Sequence, residues 1–263
     1  MSVISYLDGR ASGAVLSSDE QSSINISIST IRSRLNSHFG ATLSDHFRFG
    51  SSTRGTILPR RMDEHSDIDY MVLFAESGFT PQTYLDRLKR FAEKYYANSD
   101  ITQSSPSLVL QLNHIKFDLV PALKLSYGSY NIPDGPSNWQ STNPNDFNES
   151  LDNKNKQELF KIKPAIRLVK YWNAYNGYIY DSFSLEKYIV NLYFGAASNI
   201  REYVFTVFDN LTLDYDQPQW RKYKLARAKE IVAKVRQLEK DEMPYSAEAE
   251  VKKLIPERPG DHT

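Results

Sequence analysis

Asp67 and Asp69 flank a single apolar residue in the run Ser66-Asp67-Ile68-Asp69, and Ile68 opens Ile68–Phe74, a segment dense in β-formers that reads as a strand. Side chains two apart on a strand project to one face, ~6.5–7 Å apart. The two carboxylates therefore stand together while Ile68 turns to the core. Like charges so placed repel. A divalent cation relieves that repulsion, and magnesium accepts one or two carboxylates alongside substrate phosphates. Asp118 sits between Phe117 and Leu119 in a second strand pattern, so it must face away from the core. Laid beside the first strand, it adds a third carboxylate. Three carboxylates can hold two metals roughly 3.5–4 Å apart, which activates an attacking hydroxyl and stabilises a leaving pyrophosphate. Such phosphoryl transfer needs no His or Cys nucleophile.

The phosphates require a cradle, and Gly50-Ser51-Ser52-Thr53-Arg54-Gly55-Thr56 offers one. Gly50 permits close backbone approach and positive φ. Ser51 and Ser52 bring hydroxyls and the N–H groups of an anion-binding nest, and Arg54 a charged fork. Each feature alone has an ordinary reading: Gly-Ser is common, Asp-x-Asp is often solvated or caps a turn, and an Asp among apolar residues can be a satisfied buried acid. Their conjunction in this order, with strand patterns under both acidic segments, points to catalysis.

The elements that must position these residues are legible from patterning. Residues 1–16 read as a loosely held arm. A helix is expected from Ser17 to Phe39, capped by Ser17 or Ser18, with Asp19 and Glu20 in its first turn and Ile24, Ile28, Ile31 and Leu35 on one face. His46–Phe49 alternates as a strand. Thr80–Asn98 follows as a helix with Pro81 at its start. Strands Leu108–Leu112 and Ile115–Val120 meet at the turn Asn113-His114, and Pro121 is expected to end the second. Residues 127–156 read as a long connection. Beyond it lie the expected helices Lys156–Asn176, with Pro164 starting or kinking it, Ser182–Ala197, Gln219–Asp241 and Ala247–Leu254, then a frayed tail over Pro256–Thr263. The plan is α+β, a mixed sheet with helices followed by a helical half, divided as 1–155 and 156–263.

Lys+Arg and Asp+Glu number 32 each, so the formal charge is zero, which argues against coating nucleic acid by charge alone. The eight Lys/Arg residues of Gln219–Asp241 read as a solvated face over Leu225, Ile231, Val235 and Leu238. The absence of cysteine rules out disulfide partners, a Cys-zinc site and a cysteine nucleophile. His65 and His114 have no metal-ligand spacing. No apolar run approaches the ~18 residues of a membrane span, and the first 30 residues lack a basic, apolar leader pattern. A soluble cytoplasmic protein with no membrane partner is expected.

The series Gly50-Ser51…Asp67-Ile68-Asp69…Asp118 resembles the signature of the polymerase-β-like nucleotidyltransferase superfamily. Asp118-Leu119-Val120-Pro121-Ala122, Trp139 followed by Asn143-Pro144, Ile166-Arg167-Leu168-Val169-Lys170-Tyr171-Trp172 and Ser182-Phe183-Ser184-Leu185-Glu186 narrow the resemblance to the cGAS/DncV-like nucleotidyltransferases (CD-NTases), over about residues 20–200. It implies a polymerase-β-like core and a helical lobe around a cleft. It implies Asp67, Asp69 and Asp118 as a metal-binding triad for two Mg2+ (or Mn2+) ions, with Asp118 also activating the acceptor hydroxyl. Gly50 and Ser51 would hold the donor triphosphate, joined by Lys170 and by Ser182, with Ser184 as the alternative serine. By charge alone Arg167 equals Lys170, and Ser182 could be only a helix cap. Arg60, Arg61 and Lys116 either neutralise phosphates or are solvated. Tyr171, Trp172 and Phe183 read as core. Tyr127, Tyr130 and Trp139, in the long connection, could stack on a base. Asp63 and Glu64 read as loop surface. The chain is shorter than is common in that family, which implies a short helical half.

The implied activity is joining of nucleoside triphosphates into a cyclic or linear oligonucleotide second messenger with release of pyrophosphate, in bacterial anti-phage (CBASS-like) signalling, with a protein or nucleic-acid activator. The same chemistry could instead serve an RNA end, a protein or a small-molecule acceptor, with Arg221, Lys222, Lys224 and Arg227 as a basic patch. A non-catalytic nucleotide sensor is the third reading, and the intact triad argues against it.

Overall fold

A computed structural model describes residues 2–144 and 146–257, which fall into two compact units. The first helix, α1 (Val3–Gly13), replaces the expected loose arm: Ser2 caps it, and Val3, Tyr6, Leu7, Arg10 and Ala11 are buried at helical spacing. It belongs to the unit formed with residues 61–64 and 150–257, where Tyr6 donates to the carbonyl of Ile255 and Arg10 to that of Pro256. Pro256 is therefore held, also by the Tyr171 hydroxyl, and not frayed. Residues 258–263 of the expected tail lie outside the described residues.

The other unit, residues 16–60 and 65–149, carries the sheet. Helix α2 (Ser18–Phe39) starts at a capping box, Ser17 accepting from the Glu20 amide and Glu20 from that of Ser17. Strand β1 (Leu43–Arg48), the single-turn helix α3 (Ser51–Arg54), strand β2 (Asp67–Phe74) and helix α4 (Pro81–Tyr95) follow. Then come β3 (Asp100–Ser104), β4 (Ser107–Gln111), β5 (Lys116–Lys124), β6 (Tyr130–Asp134) and β7 (Asn138–Thr142). The sheet order is β1-β2-β5-β4-β3, with β6 joining β5 to β7. Among the described residues only β2 and β5 pair in parallel, so the sheet is mixed.

The centre of one sheet face is apolar: Ile68, Tyr70, Val72, Leu108, Leu110, Phe117 and Leu119 pack beneath Ile24, Ile31 and Leu35 of α2 and Tyr84, Leu88 and Phe91 of α4. On the other face, Met71, Leu73, Ala122 and Tyr130 form a smaller cluster. The acidic residues occupy this second face at the N-terminal ends of β2 and β5. Two expectations fail here. Pro121 does not end β5: it pairs with Val72 of β2, and on the other edge it lies between the β4 pairing, which ends at Leu119, and the β6 pairing, which begins at Leu123. Part of the supposed long connection is the hairpin β6–β7, whose Trp139 packs on the α2–α4 core.

The helical unit continues through α5 (Asp146–Gln157), α6 (Ile162–Tyr175), α7 (Ser182–Val190), α8 (Ile200–Asn210), α9 (Gln219–Lys240) and α10 (Pro244–Leu254). The single helix expected over 156–176 is interrupted, because Leu159 and Phe160 adopt positive φ between α5 and α6; Pro164 falls in the first turn of α6. Helix α7 stops at Val190 rather than Ala197, and α8 had no counterpart among the expected elements. Helix α9 buries Leu225, Ala228, Ile231, Val232, Val235 and Leu238 and leaves its basic residues outward, as expected.

Candidate active site

Parallel register places Asp69 of β2 directly beside Asp118 of β5, and Asp67 beside Lys116. All four are half-buried, alternating with Ile68 and Phe117, which are fully buried on the opposite face. Geometry thus brings the three expected carboxylates to one edge of one sheet face. Lys116 comes with them: its Nζ lies 3.2 Å from Asp67 Oδ2 and 3.8 Å from Asp118 Oδ1. Asp118 Oδ2 accepts from the Ser107 hydroxyl at 3.2 Å, while Oδ1 is buried without a hydrogen-bond partner. Burial, then the Asp67 charge, pushes the Asp118 carboxyl above the usual carboxylate range; Lys116 and Ser107 oppose this and do not cancel it. Burial alone would lower Lys116, but the charges of Asp67, Asp118 and Asp69 outweigh it and hold the ammonium above its usual range.

Among the described residues no three His, Asp or Glu side chains are drawn together into a formed metal cage; here the Lys116 ammonium stands against two of the carboxylates. The donor set nevertheless suits a hard divalent cation. It is all oxygen, and Asp118 Oδ1 is a buried acceptor with unmet hydrogen-bonding capacity.

The loop before α3 is fitted to the same edge. Gly50 has φ 71° and ψ −156°, a region essentially confined to glycine. A Cβ there would lie 1.8 Å from Asp69 Oδ2, 2.6 Å from its Cγ and 3.0 Å from its Cβ. The Gly50 backbone therefore lies directly against the Asp69 carboxylate. Phe49 N–H donates to the Asp69 carbonyl at 3.0 Å, tying the loop to β2. The Thr53 and Ser52 hydroxyls close the turn on the carbonyls of Gly50 and Phe49. The first amides with helical partners are those of Thr53 and Arg54, on the Gly50 carbonyl, so those of Ser51 and Ser52 precede the helical ladder. Arg54 is buried, its guanidinium 5.3 Å from the Phe147 ring centroid, rather than extended as an open fork.

Gly50→Ala is expected to cost about 1–3 kcal/mol of stability from backbone strain alone and to reduce turnover at least tenfold. Rotating the Asp69 side chain relieves the contact with Oδ2 but not that with Cβ. Thermal melting and initial rates check both effects.

The remaining candidates lie in the helical unit. Lys170 is buried, and its Nζ donates to Glu186 Oε1 at 2.7 Å. Asp181, not Ser182, caps α7, accepting from the Ser184 amide; Ser182 is half-buried in the first turn and Ser184 exposed. Burial lowers Arg167 below its usual range. Tyr171 and Trp172 are core, as expected, but Phe183 is 45% exposed. Asp63 is not loop surface: it is buried and accepts from the Tyr178 hydroxyl. Arg61 donates to the Gly13 carbonyl at 2.6 Å. Of the three aromatics proposed for stacking, Tyr130 is buried and Trp139 packs on Tyr84, while Tyr127 is 98% exposed. Sequence reasoning missed Ser107 and Glu186 as partners of site residues. Neither left a signal in the sequence: Glu186 pairs with a lysine whose burial only the fold shows, and Ser107 depends on the β4–β5 register.

The family of Second Messenger Oligonucleotide or Dinucleotide Synthetase (SMODS) domains matches this chain over residues 1–155. The chain belongs to the SMODS family. Among curated relatives, a probable cyclic nucleotide synthase of Bacillus cereus is 27% identical over 184 aligned positions, covering 55% of this chain and 54% of that protein. A cyclic AMP-AMP-AMP synthase of Acinetobacter is 28% identical over 141 positions, covering 53% and 40%. The SMODS chain thus aligns with about half the length of these relatives. Among solved structures, Bradyrhizobium diazoefficiens CdnG in complex with GTP superposes with a TM-score of 0.72 at 12% identity, covering 96% of this chain and 98% of that one. E. coli MS115-1 CdnC with ATP gives 0.71 at 13%, covering 97% of both. The fold is that of the CD-NTases, a polymerase-β-like core with a helical lobe. Membership implies use of a divalent metal. Among the described residues no helix is long and apolar enough to cross a membrane.

Proposed function

We propose that this SMODS protein joins nucleoside triphosphates into a cyclic or linear oligonucleotide second messenger. The observation that carries the reading is the register of Asp69 beside Asp118 on adjacent parallel strands, with Asp67 on the same face and Gly50 pressed against Asp69. A 2′- or 3′-hydroxyl of the acceptor attacks the donor α-phosphorus. A new O–P bond forms, the bond to the bridging oxygen of pyrophosphate breaks, and the hydroxyl proton passes to Asp118. Asp67, Asp69 and Asp118 would hold Mg2+ or Mn2+, which supplies charge neutralisation to the hydroxyl and to the leaving pyrophosphate. The amides at Ser51 and Ser52 bind the donor triphosphate.

E. coli CdnC has been solved in complex with a HORMA protein, which supports a protein partner as activator here. A role in bacterial anti-phage signalling fits the family, as does the cytoplasm, where triphosphates abound. The test is incubation of the purified chain with Mg2+ or Mn2+ and mixed ATP, GTP, CTP and UTP, followed by mass spectrometry. Oligonucleotides and pyrophosphate are expected. Label moving from ATP onto tRNA or protein would instead assign a macromolecular acceptor. Tight binding without turnover, unchanged by Asp67→Ala, would assign a sensor.

A further inference from the structure

Among the described residues, Lys116 is a cation that the strand register itself places in the triad. It faces Asp67 across the β2–β5 ladder, and it lies two residues before Asp118, hence on the same sheet face. Its position follows from backbone pairing and survives any choice of rotamer. On its β4 side the register partner is Gln111, whose Nε2 is turned to the Leu112 carbonyl. The charged groups its strand neighbours turn toward it are therefore the carboxylates of Asp67, Asp69 and Asp118, and its ammonium pairs with the first at 3.2 Å and approaches the last at 3.8 Å.

We infer that Lys116 is a built-in counter-cation of the active site, which lets three carboxylates share one strand edge in the metal-free protein and competes with the divalent ion for their oxygens. The inference rests on the proposed metal site. The three carboxylates carry a formal charge of −3, and Lys116 offsets one unit of it at Asp67 and Asp118. A divalent ion seeking Asp67 Oδ2 or Asp118 Oδ1 meets an ammonium already beside both. The four-carbon stem can swing aside without backbone movement, and an ammonium so displaced pairs readily with phosphate. Free metal is thereby bound weakly, and loading favours metal that arrives with a triphosphate, whose own oxygens complete its ligand shell and whose charge takes up the displaced ammonium. Lys116 is a positioning residue in this scheme, acting through the carboxylates.

The experiment is titration of the full chain with Mn2+ alone, without nucleotide, by calorimetry or by loss of the free-ion resonance signal. Wild type, Lys116→Gln, Lys116→Arg and Asp69→Asn are compared. Lys116→Gln is expected to bind Mn2+ at least tenfold more tightly than wild type, to melt at a lower temperature without metal, and to gain more from Mn2+ on melting. Lys116→Arg, which keeps the charge and presents a fork to two carboxylates, is expected to bind Mn2+ more weakly than wild type. Unchanged or weaker binding by Lys116→Gln overturns the inference. If that variant does not fold, unchanged or tighter binding by Lys116→Arg does the same. Equal Mn2+ binding by wild type and Asp69→Asn would remove the metal site itself, and with it the proposed function. Wild-type binding lost in Asp69→Asn but indifferent to Lys116 would sink this inference alone.

Discussion

Asp69→Asn is expected to lower oligonucleotide and pyrophosphate formation on the order of 10³-fold, about 4 kcal/mol of transition-state stabilisation, while the melting temperature moves by only a few degrees. The substitution is nearly isosteric, so the close approach of the Gly50 backbone to this side chain survives. The apolar face of β2 is untouched, because Ile68 and Tyr70 pack on the other side of the sheet. What disappears is one negative charge beside Asp118, and with it a hard anionic oxygen for the cation. Asparagine retains a neutral carbonyl, a far weaker ligand for magnesium. Pyrophosphate release measured beside a melting curve separates the two effects. Activity near wild type would contradict the role assigned to Asp69, and a collapsed melting curve would make the loss a folding effect.

The strands that carry the three carboxylates were legible because two independent periodicities coincided. In Asp67-Ile68-Asp69 and Lys116-Phe117-Asp118 a charged residue alternates with an apolar one, and alternation fixes which side faces the core whatever the neighbouring strand is. The parallel register that sets Asp69 against Asp118 is different in kind, since a tertiary pairing leaves no mark on either segment by itself. Misread elements have local causes. In α1, buried Val3, Tyr6, Leu7 and Ala11 share the sequence with Gly9 and Gly13, whose low helix propensity masked the period. Helix α8 does carry a signal, Asn199 capping onto the Glu202 amide ahead of Ile200, Tyr203, Val204 and Val207, which the surrounding polar residues obscured. Hairpin β6–β7 contains Asn, Pro, Gly and Asp, turn formers that outweigh Tyr130, Ile132 and Trp139 in a linear reading; its pairing onto β5 is what makes it sheet. The Lys170 position was found through its motif, yet its burial was not, because charge in a sequence suggests exposure until a partner such as Glu186 is seen.

That partner makes Lys170→Met the substitution with the largest expected effect on stability. The Lys170 and Glu186 side chains are 7% and 1% exposed, joined at 2.7 Å. Removing one member takes away the other buried charge's 2.7 Å partner, at about 3–5 kcal/mol, roughly 10 °C or more of melting temperature. The double variant Lys170→Met with Glu186→Leu is expected to recover most of that loss, because an apolar pair of similar volume escapes the desolvation cost both charges carry. A double-mutant cycle on melting temperature checks this, and simple additivity of the two single losses would contradict a direct pair. The recovered double variant then isolates the second role of Lys170. With stability restored, a lysine that reaches the donor triphosphate still shows its absence as a raised KM for nucleotide, whereas one that serves only to neutralise Glu186 leaves KM at the wild-type value. Stability and substrate affinity therefore part company in one protein, and the measurement assigns Lys170 to the nucleotide or to the core.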